Sequence, residues 1–152
     1  MTYDCQTNLQ EALPVLGIRT HTPVEKLPET LGKCYASIGQ HMAGLGVEPA
    51  GIPYVAYFNM NMQDLDLEVG FKIPAPLPGD AEIQASTLPN KPVAACTYTG
   101  PYPEMGKAYE ELTRWVEEKG LEASGTVYEF YLNDPATTSP EALQTQIVFI
   151  LN

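Results

Sequence analysis

The sequence predicts an α+β fold made of duplicated β-α-β-β units with pseudo-twofold symmetry, with antiparallel sheets, two main helices and a central cleft. Three observations lead to it. One half of the chain can be laid over the other without a gap. Each half passes from a short β run to a helical stripe and then to two further β runs. Turn formers, among them 14 prolines and 12 glycines, keep those runs short.

The repeat is carried by LGKCYASIGQHMAGLGVEPAGIPYVAYFN, residues 31–59, which aligns with MGKAYEELTRWVEEKGLEASGTVYEFYLN, residues 105–133. Gly32 meets Gly106, Lys33 meets Lys107, and Tyr35 meets Tyr109. The glycines Gly46 and Gly51 meet Gly120 and Gly125, and Glu48 meets Glu122. Tyr54, Tyr57 and Asn59 meet Tyr128, Tyr131 and Asn133. Upstream, LPVLGIRTHT echoes KPVAACTYTG. Downstream, LDLEVGFKI echoes LQTQIVFIL, each after a small shift in spacing. The copies run over about 13–73 and 91–151 of a single domain, 1–152. A long period with only two copies marks duplication rather than a solenoid.

The elements follow in order. Val15 to Thr20 is the first β run. Leu27, Leu31, Cys34, Tyr35, Ile38, Met42 and Leu45 form the stripe of the first helix. Gly39 and Gly44 lie in its path, each worth about 1 kcal/mol against Ala. Strands Pro53 to Met60 and Leu65 to Ile73 come next, then a short strand over 82–88 linking the halves, then Val93 to Thr99. The second helix has Pro103 near its start. Met105, Ala108, Tyr109, Leu112, Trp115 and Val116 share one face. Glu104, Lys107, Glu110, Glu111, Arg114, Glu117 and Glu118 share the other. Gly120 is its C-terminal stop. Thr126 to Asn133 and Leu143 to Leu151 are the last strands, joined by the turn-rich NDPATTSPEA.

Composition narrows the function classes. An apolar fraction of 44% supports a packed core. No apolar run is long enough to span a bilayer, and the opening MTYDCQTNLQ is polar, so a cytoplasmic protein without membrane contact is expected. The net charge of −11 and the lack of a basic stripe argue against direct nucleic-acid binding. They leave room for cationic ligands or a basic partner surface. Cys5, Cys34 and Cys96 have no metal-ligand spacing and read as reduced thiols; His21 and His41 are isolated. No metal or cofactor is expected.

The residue that composition and packing leave unexplained is Glu129, in TVYEFYLN. Strand alternation places it with Val127 and Tyr131 on one face, and Tyr128, Phe130 and Leu132 on the other. Both faces are apolar or aromatic. A carboxyl there is costly to desolvate and its pKa rises, which suits a general acid, a general base or a cation receptor. A sheet-edge position with snorkelling aromatics is the alternative. Its partner in the first copy is Val55, so symmetry alone did not demand an acid. Glu68, partnered by Gln146, stands either at the same cleft or on a wet strand face. Tyr102, Tyr109, Tyr131, Tyr54, Tyr57 and Trp115 are the aromatic candidates. Tyr109 and Trp115 are also explained by the helix stripe, whereas Tyr102 lies in a turn where packing explains less.

Taken together, GPYPEMGKAYEELTRWVEEKG followed by YEFYLNDP resembles the GyrI-like family, the effector-binding domain of AraC-type and MerR-type bacterial regulators. The Gly100-Pro101-Tyr102 turn, the Tyr109 to Trp115 helix, the YEFYLNDP strand and turn and the LDLEVGFKI strand carry the likeness, which covers nearly the whole chain. The resemblance implies a ligand cleft in a duplicated fold. It also implies that Glu129 matches a buried acid that meets lipophilic cations in drug-sensing members, and that acids in the cleft assist water attack in members that hydrolyse cyclopropane-bearing alkylators. Three readings follow. The first is a stand-alone binder of lipophilic, planar or cationic small molecules, with Glu129 as the polar contact. The second is a hydrolase on the same cleft, with Glu129 catalytic and Tyr102 or Glu68 assisting. The third is an acidic interaction module acting on gyrase or a regulator. A protein partner or a homodimer is compatible with each.

Overall fold

The computed structural model describes residues 4–47 and 51–152; Glu48, one of the repeat matches, lies outside them, as do the first three residues of the polar opening segment. Ten elements follow one another: β1 (Gln6–Leu9), β2 (Pro14–Thr22), α1 (Leu27–Gly44), β3 (Ile52–Tyr57), β4 (Leu65–Lys72), β5 (Gln84–Thr87), β6 (Pro92–Thr99), α2 (Gly106–Glu118), β7 (Ala123–Tyr131) and β8 (Gln144–Leu151). The chain is α+β, as the sequence predicts, and divides into two compact units.

The contiguous unit, residues 11–89, orders its strands β5-β2-β4-β3. The split unit, residues 90–152 with the chain start to residue 10, orders them β1-β6-β8-β7. All pairings within each unit are antiparallel. Both units therefore carry the same β-α-β-β series plus one edge strand. The edge strands are exchanged along the chain. β1 precedes β2 but pairs with β6, and β5 precedes β6 but pairs with β2. The run EIQASTL thus forms a strand where one was expected. The four-residue β1 escaped sequence reading because QTNL is mostly polar and is exposed throughout, with no buried face to impose alternation.

Several repeat matches prove to be local-structure residues. At the end of α1, Gly46 has φ +76°; its N–H donates to Ala43 O and that of Val47 to Met42 O. At the end of α2, Gly120 has φ +68°; its N–H donates to Glu117 O and that of Leu121 to Val116 O. Both are Schellman ends, whose left-handed position favours glycine. Asn59 and Asn133 also act alike. Asn59 accepts from the Asp66 N–H and donates to Asp64 O; Asn133 accepts from the Gln144 N–H and donates to Ala142 O. These side chains take over strand pairing. β3 and β7 therefore end at Tyr57 and Tyr131 rather than at Met60 and Asn133 as the sequence suggested.

In the split unit α2 buries Ala108, Leu112 and Val116 against Ala94, Cys96, Tyr98, Val127, Ile147, Phe149 and Leu151 of the sheet. The i, i+4, i+8 spacing of the helix residues and the period-two spacing of the strand residues create these matching faces. Each fully buried large aliphatic side chain contributes roughly 1.5–3 kcal/mol. In the contiguous unit α1 buries Cys34, Ile38 and Met42, while the stripe residue Leu45 falls past the helix end and is exposed. On the sheet face carrying Gly17 and Gly70, the fully buried Tyr54 lies over both glycines and donates to Glu68 Oε2 at 2.5 Å.

Two glycine substitutions separate strain from clash. A Cβ on Gly120 meets nothing within 4 Å, so Gly120→Ala should lower stability by only about 1 kcal/mol through its positive φ. A Cβ on Gly70 would stand 2.3 Å from Leu16 O and 2.8 Å from the Tyr54 hydroxyl. Gly70→Ala should cost at least about 3 kcal/mol. Urea unfolding midpoints at unchanged slope would show this order; equal losses would contradict the packing described.

Candidate functional site

β7 and α2 build the site between them. Glu129 pairs across to Ile147 of β8, in the middle of the helix-covered face, where Val127 and Ile147 are core residues. Its neighbours on that face leave Glu129 only 9% exposed. Tyr109, one turn before the core residue Leu112, donates its phenol O–H to Glu129 Oε2. Tyr131, on the same face of β7, donates to Oε1 at 2.8 Å. Each carboxyl oxygen thus receives one phenol donor, and no Lys or Arg is among its partners in the described residues.

These groups pull the carboxyl in opposite directions. Burial favours the neutral acid and raises its pKa above the ordinary value of 4.5; the two phenol donors favour the anion and lower it. Burial prevails, and the net shift is upward. The hydrogen-bond pattern nevertheless suits the carboxylate, which accepts only. A neutral carboxyl has a proton to donate and both oxygens already face donors.

Tyr102 completes the cluster. Its ring centroid lies 5.6 Å from that of Tyr131, at an interplanar angle of 57°. The preceding turn is fixed by Tyr98, whose hydroxyl donates to Pro101 O at 2.7 Å. Gly100, at φ +147°, is needed there, because a Cβ would stand 2.7 Å from that hydroxyl. Burial, then Asp134 and Glu129, push the Tyr102 phenol above its usual pKa. Tyr102 and Tyr131 are half-buried and form the partly open side of the cluster.

Of the residues singled out in the sequence, the structure gathers Glu129, Tyr109, Tyr131 and Tyr102. Trp115 lies farther along α2, half-buried against the same core, with Lys119 Nζ 5.8 Å from its ring; it is not a hydrogen-bond partner of Glu129. Glu68 and Tyr57 stand in the contiguous unit. Glu68 accepts the Tyr54 hydroxyl there, and Tyr57 is the half-buried last residue of β3. Sequence reasoning missed Thr145. Directly across from Tyr131 and beside Tyr98 in register, it is fully buried, and its Oγ1 lacks a hydrogen-bond partner among the described residues. Nothing in QTQIVFIL distinguishes that threonine from an ordinary β-former. Among the described residues no group of three or more His, Cys, Asp or Glu side chains is arranged to hold a metal, and no helix is long and apolar enough to cross a membrane.

Two stability measurements test the electrostatics. The raised pKa means that Glu129 stabilises the fold fully below its unfolded pKa, near 4.5, and that this contribution is lost as pH rises through the folded value. Wild type minus Glu129→Gln should therefore fall across that window, because Gln does not titrate; a flat difference would show that burial does not govern the group. Thr145→Val removes an unpaired buried hydroxyl at nearly constant shape and should raise stability by about 1 kcal/mol. A loss would mean that the hydroxyl has a partner in solution.

Comparison with known proteins follows this geometry. The GyrI-like small molecule binding domain model matches residues 4–151. No curated protein matches the sequence closely enough to count as a relative. Among solved structures, the chain is similar to EcmrR in its DNA complex, with TM-score 0.81 and 18% identity, covering 99% of this chain and 57% of that one. It therefore spans a little over half of that protein. The isolated EcmrR C-terminal domain gives TM-score 0.78 at 18% identity, covering 100% and 99% of the two chains. SAV2435 bound to tetraphenylphosphonium gives 0.64 at 17%, covering 100% and 94%. A hydrolase from Listeria innocua gives 0.71 at 12%, covering 97% and 91%. At such identities these likenesses show the fold. With the family model spanning nearly the whole described chain, the protein belongs to the GyrI-like small-molecule-binding domain family.

Proposed function

We propose that this chain binds lipophilic, planar cations at the α2–β7 face of the split unit. Glu129 supplies the charge contact, and Tyr102, Tyr109 and Tyr131 supply the aromatic surface. The observation that carries the reading is a buried carboxyl whose hydrogen-bond partners are two phenols and no cation. A delocalised cation loses little hydration on entering such a site. It offsets the desolvated carboxylate and stacks on tyrosine rings for roughly 0.5–2 kcal/mol per contact. The net charge of −11 draws cations toward the protein. The tetraphenylphosphonium held by SAV2435, on a similar fold, belongs to the same ligand class. Trp115, on the same helix, widens the aromatic surface beyond Tyr109; Glu68 and Tyr57 belong to the contiguous unit.

Hydrolysis is the second reading, favoured by the upward pKa of Glu129. A carboxyl whose neutral form is favoured by burial, beside two phenols, is a fitting general acid for opening a strained electrophilic ring. The same residue would then carry both binding and turnover.

Titration calorimetry with tetraphenylphosphonium distinguishes these ideas. Wild type should bind, and Glu129→Gln should weaken binding at least ~10-fold, about 1.4 kcal/mol. Affinity in wild type should rise with pH, because the cation displaces the carboxyl proton; the Gln variant should lose that dependence. Neutralising the exposed Glu110, Glu117 and Glu118 should leave affinity within about twofold, as expected for screened surface charges. Unchanged binding by Glu129→Gln would sink the proposal. For the second reading, a cyclopropane-bearing alkylator should be recovered with one water added only from wild type.

A further inference from the structure

The two cysteines of the split unit stand on facing strands. β1 pairs with β6 in the register Gln6↔Ala95, Thr7↔Ala94, Asn8↔Val93, Leu9↔Pro92. Carried one residue toward the chain start, this register places Cys5 opposite Cys96. The Gln10 N–H donates to Lys91 O at 2.9 Å, which makes Gln10 and Lys91 a hydrogen-bonded pair. Such pairs alternate along an antiparallel ladder. Cys5 and Cys96 therefore occupy a non-hydrogen-bonded site, like Leu9 opposite Pro92, which has no N–H to give. At such sites the Cα atoms approach to roughly 4.5 Å, within the span a disulfide needs.

Their side chains face the same way. Cys96 is 2% exposed within the core beneath α2, and Cys5 is half-buried against that same cluster. The two thiols are close enough for each to influence the other's ionisation. Cys34 belongs to α1 of the contiguous unit, so it provides an internal control. β1 itself is short, and all four of its residues are exposed. A covalent tie at its end would fix an edge that the core barely holds.

We propose that Cys5 and Cys96 form an intramolecular disulfide under peroxide, stapling the first strand to β6. The half-buried Cys5 meets the oxidant first. Its sulfur attacks a peroxide oxygen, the O–O bond breaks, and the released hydroxide takes the thiol proton and leaves as water. The resulting sulfenic acid is then attacked by Cys96 Sγ. The S–O bond breaks, the S–S bond forms, and the Cys96 proton departs with the oxygen as a second water. Two thiols lose two electrons and one peroxide gains them. Burial raises both thiols, with Glu111 and Asp4 adding repulsion at Cys5 and Glu111 at Cys96. Cys96 is pushed up to about 12. The bond therefore forms slowly, under sustained oxidation.

Prolonged hydrogen peroxide treatment of the full chain, followed by peptide mapping without reductant, tests this. A peptide joining Cys5 to Cys96 should appear in wild type and in Cys34→Ser, vanish with dithiothreitol, and be absent from Cys5→Ser. Because the bond closes a loop from residue 5 to residue 96, Tm should rise on the order of 5–10 °C in wild type and not in Cys5→Ser. Cys5 carried on to sulfinic or sulfonic acid while Cys96 stays a thiol, a Cys5 bond between two molecules, or a staple that lowers Tm would each overturn it.

Discussion

A carboxyl removed from water, held by two phenols and by no counter-ion among the described residues, is the constraint around which the split unit is arranged. It dictates that α2 carry a tyrosine where an aliphatic residue would otherwise fill the stripe, so that Tyr109 reaches Glu129 while Ala108, Leu112 and Val116 keep the helix docked. It dictates that β7 place a second tyrosine two residues on, on the same face. The apolar groups around it supply stability and at the same time the low polarity that drives the carboxyl toward its neutral form. Packing and electrostatics are coupled here: the core that holds the site also sets its protonation.

The contiguous unit shows the same scaffold without that constraint. Tyr35 is the repeat partner of Tyr109, and Val55 is the partner of Glu129. Val55 is fully buried, and the Tyr35 hydroxyl turns to a main-chain acceptor, Tyr54 O, at 2.7 Å. An acid of this unit, Glu68, is held by Tyr54 on the sheet face that carries Gly17 and Gly70. One scaffold with matching elements thus supports two different uses of a helix tyrosine. In one unit it closes a backbone valence, and in the other it tunes a carboxyl.

Much of this was legible in the sequence, for identifiable reasons. Helix α2 could be read because burial on one face and charge on the other enforce a 3.6-residue period, and Gly120 ends it by a conformation that other residues avoid. Glu129 could be read because an acid among β-branched and aromatic residues contradicts its surroundings. Strand ends were less legible: Asn59 and Asn133 replace ladder bonds with side-chain bonds, and a side chain acting as backbone leaves no periodic trace. Thr145 was illegible because its cost arises from the absence of a partner in three dimensions. The grouping of Tyr102 with Tyr131 depended on a turn set by Tyr98, a contact no spacing rule encodes.

The exchange of edge strands also orders events in time. Residues 11–89 contain every strand of the contiguous unit, so this unit can assemble as soon as β5 has emerged during synthesis. The split unit cannot. β1 is made before the contiguous unit, yet its partner β6 arrives only after that whole unit has been translated, and the site-bearing β7 later still. Strand β1, made before the contiguous unit, is therefore paired only after it, and the half that carries Glu129 matures later than its neighbour in sequence. Loop closure over that interval favours late docking of the N-terminal segment, after the local α2–β7–β8 contacts are in place.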